Sequence, residues 1–118
     1  MEIKNLDEMM ATRQRNIRLF GTGNFRSWML YFVPGDGTDM HYHANPETFL
    51  VLSGKGVVKG LDGRERPIQK NEVLFLDAKD YYQITNNGTE PLVLFGNRSE
   101  GFGGPHIKTD GTDRNARV

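Results

Sequence analysis

Short apolar runs separated by Gly, Pro, Asn and Asp recur along the whole chain, and this spacing predicts strands rather than helices. Residues 27–33 (Ser-Trp-Met-Leu-Tyr-Phe-Val) are apolar at nearly every position. A strand of that kind is covered on both faces, so it belongs near the centre of a sheet, and Pro34-Gly35 ends it. Further strands are predicted at 17–20, 48–52, 57–61, 73–76, 81–85 and 92–95. Gly54-Lys55-Gly56 separates the second of these from the third, and Pro67-Ile68 leads into the run at 73. Asp62-Gly63 has the chemistry of a tight hairpin, residues 77–80 form a loop, and Asn86-Asn87-Gly88 forms a turn. Residues 5–16 alone read as a helix, with Asn5 as cap, Asp7 and Glu8 in the first turn and basic residues at the end. Two or three peripheral turns are expected. The fold class is therefore all-β, a sandwich or barrel with a short N-terminal helix. From Gly96 the composition changes: Gly101, Gly103, Gly104 and Pro105 interrupt any period and the last ten residues are almost wholly polar. That tail, 96–118, is expected to be mobile or laid over another surface such as a partner subunit.

The chain has 118 residues, which suits one domain with one core. Its 15 basic and 15 acidic residues balance, which argues against nucleic acid or an anionic membrane as partner. No apolar run approaches the roughly 20 residues of a membrane span, and residues 1–4 lack the apolar start of a secretory signal, so a cytoplasmic location is expected. There is no cysteine. Disulfides, thiolate zinc sites and thiol nucleophiles are excluded together, and any metal must be held by nitrogen and oxygen.

His41 and His43 stand two apart, so in an extended segment their imidazoles share a face while Tyr42 points away. Ala44-Asn45-Pro46 lets the chain turn, and Glu47 can then bring a carboxylate to the same point. Two nitrogens and one oxygen on one side of an ion leave the other side open, the facial arrangement of non-haem iron oxygenases. The competing reading is a chance His-x-His in an exposed strand. His106, alone in the Gly-rich tail, is either a solvated residue or a further nitrogen folded back onto the ion. Trp28, Tyr31, Phe49 and Phe75 are expected in the core, with Phe49 and Val51, on the strand face of Glu47, best placed to line a pocket. Arg26 could receive a carboxylate through paired hydrogen bonds, although an arginine at a strand start is more often a surface residue.

Gly35, His41, His43, Glu47 and Gly54 reproduce a spaced pattern that resembles the first motif of the cupin superfamily. The resemblance covers roughly residues 26–95. It implies an antiparallel double-stranded β-helix, a jelly-roll barrel, with a divalent metal between its sheets on His41, His43 and Glu47. In cupins a second motif supplies a histidine followed four residues later by an asparagine. Here Asn86 fits the asparagine and Tyr82 stands in the histidine's place, while Asp77, Lys79 and Asn71-Glu72 replace the motif's turn residues. Tyr82 can be read as a phenolate ligand, as a phenol that donates a hydrogen bond or proton in catalysis, or as core packing.

What the resemblance implies about function follows from that site. Iron(II) is the first candidate ion, with manganese, nickel, zinc and copper as the others. The leading expectation is an oxygenative, dioxygenase-like enzyme acting on a small metal-chelating substrate such as a diketone, enol or catechol-like compound. A non-redox isomerase, lyase or decarboxylase is the alternative, as is a cupin that binds a metabolite without turnover. A homodimer is expected.

Overall fold

The computed structural model describes residues 1–115, so the last three positions of the expected tail lie outside the described residues. Helix α1 (Leu6–Ala11) is followed by β1 (Asn16–Gly21), β2 (Arg26–Phe32), β3 (His41–Tyr42), β4 (Glu47–Ser53) and β5 (Lys55–Lys59). Then come β6 (Glu65–Gln69), β7 (Val73–Leu76), β8 (Gln83–Thr85), β9 (Leu92–Arg98) and β10 (Ile107–Lys108). One antiparallel sheet has the order β1-β2-β9-β4-β7. The facing layer contains β6-β5-β8 and the pair β10-β3, which single bridges from His41 to Tyr82 and from Gly37 to Thr85 join into one surface. The expected all-β jelly roll with a short N-terminal helix is what forms.

Alternation explains how one strand serves two packing layers. Trp28, Leu30 and Phe32 of β2 point between the sheets, where they meet Phe49, Val51, Ile84, Leu92 and Leu94. Met29 and Tyr31 point the other way, into a second cluster with Leu19, Val93 and the helix residues Leu6, Met9 and Met10. Helix α1 thus covers the outer face of β2, and the strand is buried on both sides as its composition predicts.

Several boundaries differ from the sequence expectation. The helix stops at Thr12, because Arg13 takes φ +56 and Asn16 is already paired with Leu30 of β2. Strand β5 starts two residues before the predicted run, and its pairing with β6 closes at Lys59 and Glu65. The connection therefore spans residues 60–64, longer than a tight two-residue turn, with Gly63 at φ +76. Pro67 sits inside β6, an edge strand, where its missing N–H interrupts no ladder. Phe75 is 61% exposed rather than core. Strand β9 continues to Arg98, and beyond it the tail returns to its own barrel, pairing Ile107 with Tyr42 and Lys108 with His41.

One glycine bears directly on the interior. A Cβ at Gly96 would lie 2.7 Å from Phe49 Cε1 and 2.8 Å from Trp28 Cζ2. Its absence admits the edge-to-face pair that Trp28 and Phe49 make, with centroids 5.4 Å apart. Among the described residues, no helix is long and apolar enough to cross a membrane.

Candidate metal centre

His41 opens β3 and His43 directly follows its last residue, Tyr42, and both rings are buried. Each Nδ1 lies against a main-chain carbonyl, His41 at 2.8 Å from Asp39 O and His43 at 2.7 Å from Pro105 O. A carbonyl can only accept, so both Nδ1 atoms carry the proton and both Nε2 atoms carry a lone pair in the neutral rings. Those two Nε2 atoms face each other at 3.0 Å. Burial holds both rings below the ordinary imidazole range, His41 to about 4 and His43 to about 3, which keeps them neutral at pH 7.

The tail supplies the third nitrogen-bearing ring. His106 precedes β10, and a set of short bonds clips its segment down: its N–H donates to Asp113, Arg114 N–H donates to its carbonyl, and Asn115 donates to Gly104 O. Its ring stacks on that of His41, with centroids 3.8 Å apart and planes at 5°. His106 Nε2 lies 3.0 and 3.2 Å from the two oxygens of Asp39, a carboxylate–histidine contact of the kind that orients metal ligands. Burial also lowers the pKa of His106, with Asp39 opposing. Potential ligand atoms of His41, His43 and His106 all lie within 4.8 Å of one another.

Glu47 is placed differently. It is the first residue of β4, directly across from Arg98 of β9, and its Oε2 accepts two guanidinium bonds at 2.8 and 2.7 Å. The converging group contains His106 where the sequence suggested the Glu47 carboxylate. Burial pushes the Glu47 carboxyl up to about 7, with the neighbouring Tyr82 phenol and the Arg26 charge opposing by favouring the charged form. Tyr82 is 3% exposed, with its ring 4.4 Å from that of His41 and its phenol beside Glu47. That approach is not a well-aligned hydrogen bond, and Glu47 Oε1 has no partner. Burial, together with the neighbouring carboxylate, raises the Tyr82 pKa well above 10, so the phenol keeps its proton. Asn86, the other residue singled out beside Tyr82, is a backbone clamp: it donates to Phe32 O and Glu90 O and accepts from Gly88 N–H.

A cavity of about 220 Å³ opens onto the three histidines, with Tyr82, Phe49 and Trp28 among its walls and Arg26 and Arg98 at its sides. Phe49 lines it as expected, whereas Val51 lies in the core. Sequence reasoning missed Arg98. Extending the alternation of Leu92, Leu94 and Gly96 by two residues would have put it on the inner face.

Residues 28–95, more than half of the chain, match the family described as Cupin domain. The chain belongs to the cupin family. Its curated relatives include auxin-binding protein 1 of Arabidopsis thaliana, 32% identical over 84 residues that make up 64% of this cupin and 42% of that protein. Auxin-binding protein 4 of Zea mays is 31% identical over 75 residues, 57% of this cupin and 37% of that protein. The chain therefore spans less than half the length of these relatives. Among solved structures, BH2720 from Bacillus halodurans superposes with a TM-score of 0.78 at 17% identity, covering 97% of this cupin and 88% of that chain.

The donors of this cupin suit a divalent ion. At metal–nitrogen distances of about 2.0–2.1 Å, two ligands at a right angle place their nitrogens about 2.8–3.0 Å apart. The separation of the His41 and His43 Nε2 atoms is 3.0 Å. Two unprotonated nitrogens this close repel each other unless a cation or proton lies between them, and the three histidines could hold that one ion.

Proposed function

We propose that this cupin is a metal-dependent small-molecule enzyme whose ion is held by His41, His43 and His106, and that its chemistry is oxygenative on a chelating substrate. The observation that carries the reading is the convergence of three buried, neutral imidazoles at a cavity of about 220 Å³. When bound, the ion supplies Lewis acidity and, if it is iron(II), reactivity toward dioxygen. The chain's own residues supply the rest. Main-chain carbonyls of Asp39 and Pro105 fix the tautomers of His41 and His43, and the Asp39 carboxylate fixes His106. Trp28 and Phe49 form an apolar wall that limits water around the substrate. The protonated phenol of Tyr82, beside the histidines, is positioned to donate a hydrogen bond or proton to a substrate oxygen.

The test is metal analysis followed by oxygen uptake. Protein loaded anaerobically with iron(II) is expected to hold one ion per chain, to lose it in His41→Ala, and to consume dioxygen with diketones or catechol-like phenols. Loading is anaerobic because dioxygen oxidises iron(II), and it starts from metal-free protein because nickel, copper and zinc outcompete iron at nitrogen sites. Metal far below one per chain, unchanged by His41→Ala, would end this reading. A second reading, ligand binding without turnover, is favoured by the similarity to two proteins named for binding auxin. Saturable binding of small molecules to the metal-loaded protein without any product would select it.

A further inference from the structure

Arg26 is the buried cation of the cavity with a guanidinium donor left unfilled. It is 8% exposed, at the start of β2, and it stands next to Arg98 in the ladder between β2 and β9. Its guanidinium lies 4.9 Å from the ring centroid of Trp28 and 5.5 Å from that of Phe102. These contacts hold the group in place and cover its faces. They do not satisfy its edges. The Nε–H is buried without a hydrogen-bond partner, and the nearest carboxylate, Glu100, is 3.7 Å from Nη2, beyond hydrogen-bond reach.

The neighbouring cation shows the contrast. Arg98 donates two bonds to Glu47 and one, at 3.1 Å, to Glu100. Glu47 Oε2 and Glu100 Oε1 are thereby engaged, with Glu47 Oε1 left unpartnered, and Arg26 faces a cavity that also carries Arg15, Arg18 and Arg114, with Asp39 as the acidic side chain on its lining. Asp39 is itself drawn to His106. A buried guanidinium with unfilled donors costs stability unless something else completes it, and the matching partner is a planar anion with two oxygens. The remaining walls, Trp28, Phe49, Tyr82 and Phe102, suit an apolar body. Room is limited: 220 Å³ corresponds to about seven waters at ~30 Å³ each, so the ligand has on the order of ten non-hydrogen atoms.

We infer that Arg26 is the carboxylate-binding residue of this cavity, and that its ligand is a small monocarboxylate with an apolar body lying between Arg26 and the three histidines. The inference rests on reading the cavity as a small-molecule site, and it does not require that the ligand be turned over.

The experiment measures binding of benzoate, 3-phenylpropanoate and 4-methylpentanoate, each beside its neutral primary amide, by quenching of Trp28 fluorescence and by calorimetry. Trp28 is the chain's one tryptophan, so the signal reports this wall of the cavity. At least one carboxylate is expected to bind about tenfold or more tighter than its amide, the equivalent of one charge-assisted hydrogen bond. That preference should vanish in Arg26→Gln and be partly kept in Arg26→Lys, with both variants retaining wild-type metal content. Arg26→Lys, which preserves the charge, keeps the test open should Arg26→Gln fold poorly. Equal affinity for acids and amides, an unchanged preference in Arg26→Gln, or no binding of any panel acid at millimolar concentration would each overturn the inference. Repeating the titration on zinc-loaded protein and on His41→Ala separates the two proposals. An Arg26-dependent preference that survives in His41→Ala upholds this inference without the metal, and the metalloenzyme reading then stands or falls on metal content and oxygen uptake alone.

Discussion

Arg98 places two guanidinium N–H groups on one carboxylate oxygen of Glu47, its direct cross-strand neighbour, and both side chains are almost wholly buried. Arg98 lines the cavity, and the pair commits Glu47 Oε2 to the guanidinium. Breaking one half of a buried pair strands the other charge, which typically costs about 3–5 kcal/mol. Arg98→Met is therefore expected to destabilise the barrel by about that amount in urea unfolding, and the double variant Glu47→Leu/Arg98→Met to recover most of it. Because the carboxylate is committed to Arg98, Glu47→Gln should keep its metal stoichiometry. Loss of metal in Glu47→Gln would return that residue to the ligand set.

His106 and Asp39 provide a graded test of the third ligand. Removing an outer partner of a ligating histidine costs roughly 10–100-fold in metal affinity. Asp39→Asn, which weakens the contact to His106 Nε2, is expected to fall in that range by competition with a chromophoric chelator. His106→Ala should lose more than Asp39→Asn. Equal affinity in wild type and His106→Ala would show that the tail histidine does not ligate.

The depressed imidazoles fix the pH behaviour. In the folded chain His41 and His43 titrate near 4 and 3, against 6.5 when unfolded, so between those values the unfolded state binds more protons. Stability of the metal-free protein is thus fully present above pH 6.5 and is lost as pH falls toward 4, by up to about 1.4 kcal/mol per pH unit for each ring. Urea midpoints should drop between about pH 7 and pH 5, with a shallower slope in His43→Gln. Metal affinity should begin to weaken only below the ordinary imidazole range, because burial keeps the ligand rings neutral past that point. An exposed histidine site would begin to weaken near 6.5.

Tyr82→Phe removes one oxygen from a buried ring that packs against His41 and Phe49. The variant is expected to fold and to retain metal. If the phenol donates a proton during turnover, kcat should fall by about 10²-fold or more. Wild-type kcat in Tyr82→Phe would reduce the residue to packing.

Much of this architecture was legible from the chain alone, because it depends on local pattern. Alternation along residues 26–33 and 47–53 dictates which side chains face inward, whatever lies opposite. Gly35 and Gly54 adopt φ +88 and +80, and a side chain at Gly54 would also collide with the Pro91 carbonyl, so both spaced glycines answer to backbone geometry. The shared face of His41 and His43 follows from two-residue periodicity in the same way.

Partner choice, by contrast, was decided by strands that are distant in sequence. Nothing near Glu47 announces Arg98, 51 positions away; the β4–β9 register sets them opposite each other. His106 reaches the other histidines because β10 pairs with β3, an alignment of only two residues that composition does not signal. Arg26 is buried because Trp28 and Phe102 close over it. Local sequence therefore determined the barrel and the two-histidine face, since φ/ψ preference and alternation act over a few residues. Tertiary structure decided which groups complete that face, since burial and charge pairing depend on what the fold brings opposite.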